Sequence, residues 1–131
     1  MSDADRADYF AALEEFGFSA KDVRAMSESD NRIPLPEGHY KFVVDASWIE
    51  GWGVFASGDL LAGEIIAPAR ISGLRTVVGR FSNHSVAPNA LMVLQPDGNL
   101  NLVAIHAIEK GTEVTIDYRQ IMKLNGLKRV K

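Results

Sequence analysis

The feature that most limits what this chain can become is the spacing of its turn residues after Tyr40. Phe42-Val43-Val44, Gly53-Val54-Phe55, Glu64-Ile65-Ile66, Leu91-Met92-Val93-Leu94, Leu100-Asn101-Leu102-Val103 and Val114-Thr115-Ile116-Asp117-Tyr118 are short runs rich in β-branched and large apolar residues. Gly, Pro or Asn interrupts them about every 8–12 residues, too often for helices and suited to short strands in small sheets. Pro96-Asp97-Gly98-Asn99 reads as a hairpin turn, with Gly98 and Asn99 supplying positive φ angles. A mainly β domain over residues 40–118 is the expectation, and no internal repeat competes with it.

The first 35 residues follow a different period. Tyr9, Phe10, Leu13 and Phe16 recur at helical spacing, and Gly17 is placed to cap the helix over residues 3–16. A second short helix is expected from Ser19 to Met26, with Ser19 as N-cap and Asp22 in the first turn. Ser27 to Arg32 reads as a loop, extended by Pro34 and Pro36. The organisation expected is a helical N-terminal extension over residues 1–35 packed on a core of 40–118, then a short basic tail over 119–131.

Composition excludes several function classes. The 131 residues contain no cysteine, so disulfides, thiolate zinc sites and cysteine nucleophiles are ruled out. That absence also suits a reducing compartment such as the cytoplasm. No apolar stretch reaches the roughly 20 residues a membrane helix needs, so no membrane partner is expected. Net charge is −3 but unevenly spread. Residues 1–30 hold eight acids against three bases, while residues 119–131 hold Arg119, Lys123, Lys128, Arg129 and Lys131 with no acid. Such ends are commonly solvated; the sharper alternative is that the basic tail meets an anionic ligand or partner. Direct nucleic-acid binding fits poorly, since the chain is acidic overall and the tail has no aromatic residue for stacking.

Several local motifs fail on context. Gly51-Trp52-Gly53-Val54-Phe55-Ala56 matches a dinucleotide fingerprint, but Gly58 and Gly63 interrupt the helix that motif requires. His39, His84 and His106 are too far apart in sequence for a helical metal pair, and no metal site is expected. Ser82 and Ser85 flank His84 too closely to converge on it as nucleophiles, and no nucleophile elbow is present.

Order and spacing make one set of segments informative together. Gly51-Trp52-Gly53 comes first, followed by the polar loop Arg80-Phe81-Ser82-Asn83-His84-Ser85-Val86-Ala87-Pro88-Asn89-Ala90. Glu113-Val114-Thr115-Ile116-Asp117-Tyr118 closes the β region. With Leu60-Leu61-Ala62-Gly63-Glu64 and Ala107-Ile108-Glu109-Lys110-Gly111-Thr112 between them, these segments resemble the SET domain of S-adenosylmethionine-dependent protein lysine methyltransferases. The resemblance covers residues 40–118.

It implies a SET-domain β-clip fold with a C-terminal pseudoknot and, here, a small N-terminal helical addition. It assigns cofactor contacts to Gly51, Trp52, Gly53, Arg80, Asn83, His84 and Tyr118, with S-adenosyl-L-methionine as cofactor. Asn83 would meet the ammonium or carboxylate of the cofactor, His84 the adenine through its backbone, and Tyr118 would be the catalytic tyrosine. The implied substrate is a lysine-bearing protein, basic or histone-like; the alternative is a non-catalytic SET-fold module that binds a protein partner.

The chain also departs from the family. It lacks the cysteine-zinc segment that often closes the site, and only residues 65–79 stand where a peptide-groove insert usually lies. In size it resembles the minimal stand-alone SET enzymes of viruses and bacteria, some of which complete their sites as homodimers. A lysine channel must draw on Trp52, Phe81, Tyr40 or the helical Tyr9, Phe10, Phe16 and Phe18. The N-terminal helices, or a second subunit, are therefore expected to wall the groove.

Overall fold

The structure, a computed structural model, describes residues 3–19, 21–22, 31–49 and 51–130. Its elements in chain order are α1 (Asp3–Glu15), β1 (Phe42–Ala46), β2 (Trp52–Ala56), β3 (Ile65–Ile71), β4 (Leu74–Arg75), α2 (Val77–Phe81), β5 (Asn83–His84), β6 (Ala90–Leu94), β7 (Leu100–Ala104), β8 (Glu113–Ile116) and α3 (Tyr118–Leu124). Two four-stranded sheets result, one in the order β1-β2-β8-β5 and the other β4-β3-β7-β6. The mainly β expectation holds, with β4, β5, α2 and α3 added to it.

The two inner faces supply one apolar core. Val54, Ala56, Leu60, Ile66, Ala69, Val78, Met92, Leu102, Ile108, Val114 and Ile116 are among its buried members. Burial alternates along β6 and β7, as expected for strands with one face on a core. The β6–β7 hairpin pairs Leu94 with Leu100 across the expected turn, where Gly98 has φ +88°. Asn99 departs from expectation: among the described residues Ser72 is the one non-glycine with positive φ. Asn99 instead takes its place through its N–H, which donates to Asp97 Oδ1 at 2.9 Å.

α1 ends as expected. Gly17 adopts φ +78°, and Phe18 N–H returns to the Leu13 carbonyl at 2.8 Å, the 6→1 bond of a glycine-terminated helix. Leu13 and Phe16 are buried with Met122 of α3 in a second, smaller cluster. Phe10, expected on the same face, is half exposed; Ala12 takes the buried position instead. Of the helix predicted over 19–26, residues 20 and 23–26 lie outside the described residues, as does most of the loop predicted after it. Ser19 and Asp22 do exchange bonds, Ser19 N–H to Asp22 Oδ2 at 2.8 Å and Asp22 N–H to Ser19 Oγ at 3.1 Å. This is the reciprocal pattern of a helix N-terminus.

The run Val114–Tyr118 is not one strand. β8 stops at Ile116, and Asp117 turns the chain by accepting Arg119 N–H at 2.9 Å, so that Tyr118 is the first residue of α3. Gln120 then fastens α3 to β6 as another strand would: its amide donates to the Met92 carbonyl (2.7 Å) and accepts Met92 N–H (3.2 Å). No helix among the described residues is long and apolar enough to cross a membrane.

Candidate functional site

Three distant segments meet around one carboxylate. Asn83 Nδ2 donates to the Trp52 carbonyl at 3.1 Å and to Glu113 Oε2 at 2.9 Å. Glu113 also accepts from Ser47 Oγ at 2.8 and 2.9 Å. Glu113 thus ties the β1–β2 turn, β5 and the start of β8 together. Sequence reasoning missed it, since its partners lie 66 and 30 residues away.

The two glycines of the β1–β2 turn serve different ends. Gly51 has φ +45°, a backbone angle that disfavours side chains, and a Cβ there would meet nothing within 4 Å. Gly53 has an ordinary φ, but a Cβ would collide with the Glu113 carboxylate. The first glycine shapes the turn, and the second lets backbone approach the half-buried Glu113 carboxylate. Between them Trp52 leaves its indole more than half exposed.

Asn83 and His84 are delivered by α2. Thr76 caps that helix: its Oγ1 accepts Gly79 N–H at 3.4 Å and donates to the Pro68 carbonyl at 2.6 Å. Gly79 lies so close to the Ala69 carbonyl that any Cβ would overlap it, so the helix rests directly on β3. Ser82 closes the helix by donating its Oγ to the Val78 carbonyl at 2.6 Å. Arg80, on the last turn, holds its guanidinium 4.9 Å above the Phe81 ring.

β5 then pairs parallel with β8, Asn83 opposite Thr115 and His84 opposite Ile116. Ser85 N–H donates to the Ile116 carbonyl at 2.9 Å. Alternate residues bond in a parallel ladder, so His84 turns its own N–H and C=O away from β8. β5 is an edge strand, and no strand among the described residues covers that side. Asn89, beyond Pro88, secures the loop by donating to the Glu113 carbonyl (2.9 Å) and accepting Thr115 N–H (2.8 Å).

Tyr118 is half-buried beside this strand. Its hydroxyl donates to the Ser82 carbonyl at 3.1 Å, and its ring meets the His84 ring edge-on at 5.3 Å. As the first residue of α3 its N–H has no intrahelical acceptor; it donates to His84 Nδ1 at 3.0 Å. The buried imidazole therefore carries its proton on Nε2, which lies 2.7 Å from Asp8 Oδ2 of α1.

Asp8 also takes a bidentate pair from Arg119 at 2.8 and 3.0 Å, and that contact is the main reason its carboxyl sits below the usual range. Glu15 receives Arg119 Nε and, at 2.7 Å, Arg129. The acidic head therefore pairs with the basic end of its own chain, an arrangement neither expectation for those ends included.

The helical aromatics divide. Tyr9 reaches Tyr118, edge-on at 5.6 Å, whereas Phe16 and Phe18 pack with Leu13 and Met122. Tyr40 packs on Phe42 and donates its hydroxyl to the Pro36 carbonyl at 2.7 Å. On the other flank, Arg75 is held below the usual guanidinium range by burial first and by Arg80 and Arg32 next, with Tyr118 acting in the opposite sense.

The SET domain family model matches residues 67–119, a span that includes Asn83, His84 and Tyr118 and stops short of Gly51–Gly53. Among solved structures the chain is similar to the crystal structure of a Plasmodium falciparum "putative histone methyltransferase". The two are 25% identical with a TM-score of 0.53, over 62% of this chain and 95% of that one. None of the curated proteins matches the sequence.

Proposed function

We propose that the chain is a SET-domain, S-adenosylmethionine-dependent protein lysine N-methyltransferase, a reading supported by the SET domain family model over residues 67–119 and by the structural likeness. The observation that carries this reading is the meeting of Gly51–Gly53, Asn83–His84 and Tyr118 through the bonds of Asn83 and His84. The Plasmodium relative supports a basic, histone-like protein as substrate class.

The residues present fit the cofactor. On the edge of β5 away from β8, the His84 backbone carries one donor and one acceptor side by side, the pair an adenine edge needs; the residue is 1% exposed, so what covers that edge must give way as adenine enters. Both amide protons of Asn83 are engaged, and the Glu113 carboxylate beside it favours the cofactor's ammonium over its carboxylate. Trp52 and Gly53 contribute backbone, and Arg80 stands on the helix leading into Asn83. When bound, the cofactor supplies a methyl group on a cationic sulfur.

The acceptor lysine must lose a proton before it can attack, at a cost of about 4.6 kcal/mol at pH 7. Burial of the amine and cationic surroundings lower that cost by disfavouring the ammonium. Tyr118 directs its own hydroxyl proton at Ser82 and so turns an acceptor oxygen toward the amine, orienting the lone pair for in-line attack. Orientation of this kind is the main contribution in a reaction that needs no metal and no covalent intermediate.

The N-terminal extension of residues 1–35 is read as a wall of the substrate groove, through Tyr9, and the 119–131 segment as its anchor. The test is transfer of labelled methyl to basic peptides and lysate proteins by the wild type and Tyr118→Phe. Transfer that falls at least about 100-fold in the variant while cofactor binding persists supports the reading. Cofactor binding without transfer by the wild type would establish a non-catalytic binding module instead.

A further inference from the structure

The proposed reaction places Tyr118 at the centre, and α3, which carries it, is fastened to β6 by Gln120. A second set of contacts, from outside α3, acts on the tyrosine's own end of that helix. Its N–H hangs on His84 Nδ1 at 3.0 Å, and the residue after it, Arg119, is gripped by Asp8. The same Asp8 carboxylate accepts from His84 Nε2 at 2.7 Å. One acid on α1 therefore holds both neighbours of the tyrosine.

The chemistry makes this pairing directional. His84 has a fully buried side chain, and a neutral imidazole has one donor and one acceptor nitrogen. Nδ1 can accept from Tyr118 only while the proton is on Nε2. An acceptor at Nε2 is what selects that tautomer, and Asp8 supplies it. Without Asp8 the imidazole is free to carry its proton on Nδ1, which would set two donors against each other and push Tyr118 N–H away.

α1 is registered for this role by two further bonds. Asp5, one turn earlier, accepts from Ser85 Oγ at 2.8 Å and from Val86 N–H at 3.0 Å. Those residues directly follow His84, so the helix is locked to the loop whose imidazole it serves. Tyr9 adds an edge contact to Tyr118 at 5.6 Å.

We propose that Asp8 is a positioning residue for methyl transfer, acting through the Nε2–H tautomer of His84 to hold Tyr118 at the reacting amine. The inference rests on the methyltransferase reading for its kinetic part only, because the tautomer can be observed with no substrate present.

The experiment is long-range ¹⁵N–¹H NMR of the His84 imidazole, with methyl-transfer kinetics, on the full chain and on Asp8→Ala and Asp8→Asn. The expected wild type shows the Nε2–H form. Asp8→Ala should shift His84 toward Nδ1–H and lower kcat by about 10- to 100-fold with little change in peptide KM. Asp8→Asn, whose amide oxygen still accepts from Nε2–H, should keep the tautomer and most of kcat.

A wild-type His84 in the Nδ1–H form overturns the proposal even if neither variant folds. So does a tautomer shift with kcat unchanged, or a fall in kcat with the tautomer intact. A wild type that transfers no methyl but shows the expected tautomer shift defeats the methyltransferase reading, and with it the kinetic role, while leaving the Asp8–His84–Tyr118 linkage standing.

Discussion

The β core and the helical layer on its flank are held by different forces. The core is apolar throughout its buried cluster, from Val54 on β2 to Ile116 on β8. The layer formed by α1 and α3 has a small cluster of its own, Leu13, Phe16 and Met122, rests Ile121 and Leu124 of α3 on the core, and is fastened further by Gln120 and by the charged Asp5, Asp8, Glu15, Arg119 and Arg129. Apolar burial is insensitive to pH and modestly strengthened by salt, whereas charge-assisted clamps weaken as carboxylates protonate. The comparison teaches that the two regions should come apart under different conditions, although both contribute to the site.

The largest effect is expected in the core. Leu102 on β7 is wholly buried between β3 and β6. Truncating it removes packed methyl groups and leaves a cavity that flanking strands cannot close, which costs about 2–5 kcal/mol. Leu102→Ala should lower stability by that amount in urea titration, with the α1 and β-sheet signals lost in one transition. Separate transitions would break the picture of a helical layer that depends on the core beneath it.

How far the sequence revealed each region follows from the same contrast. Strands of the core were legible because alternation and turn residues are local properties: Leu100–Ala104 and its Gly98 turn needed no distant partner to be recognised. α2 was hidden. Val77, Val78 and Gly79 are poor helix formers, and the helix exists because Thr76 caps it and Gly79 can touch the Ala69 carbonyl.

In the site, Asn83, His84 and Tyr118 stood out through the order of their motifs, but their connections did not. Glu113 looked like one strand acid among 17, and its role depends on Ser47 and Asn83 arriving from elsewhere. The acidic head and basic tail were both visible as charge runs. Their pairing was not, since charge runs carry no register and Asp8 meets Arg119 across 111 residues.

An intermediate effect is expected from acid, confined at first to the helical layer. The Asp8 carboxyl is lowered chiefly by its bonds to Arg119, then by His84, against the opposing cost of burial. A depressed folded-state value means the stabilisation is complete above the unfolded carboxylate value of about 3.9 and disappears as pH falls through the lower folded value. Arg119 is shifted the opposite way by the same contacts and remains charged throughout. Between pH 7 and pH 5 the Tyr9 and Leu13 amide resonances should hold still. Below about pH 4 they should move before those of Leu102 and Val114. Simultaneous movement of all four would remove the distinction between the two regions.

The smallest effect tests whether the helical layer can be loosened with no charge altered. Gly17 ends α1 at φ +78°, and a Cβ there would lie 3.3 Å from Val130 Cγ2, close enough that the valine must give slightly. The left-handed angle costs a side chain roughly 1–2 kcal/mol, and the exposed C-terminal segment carrying Val130 can absorb the remaining crowding. Gly17→Ala should therefore destabilise by about 1–2 kcal/mol, seen as a modest drop in urea midpoint, with resonance changes confined to α1 and residues near Val130. Gly17→Asn should lose less, because asparagine enters the left-handed region more readily than alanine. Equal losses in the two variants would shift the cause from backbone angle to crowding at Val130. A loss as large as that of Leu102→Ala would mean that the end of α1 is tied to the β core more tightly than the Leu13, Phe16 and Met122 cluster accounts for.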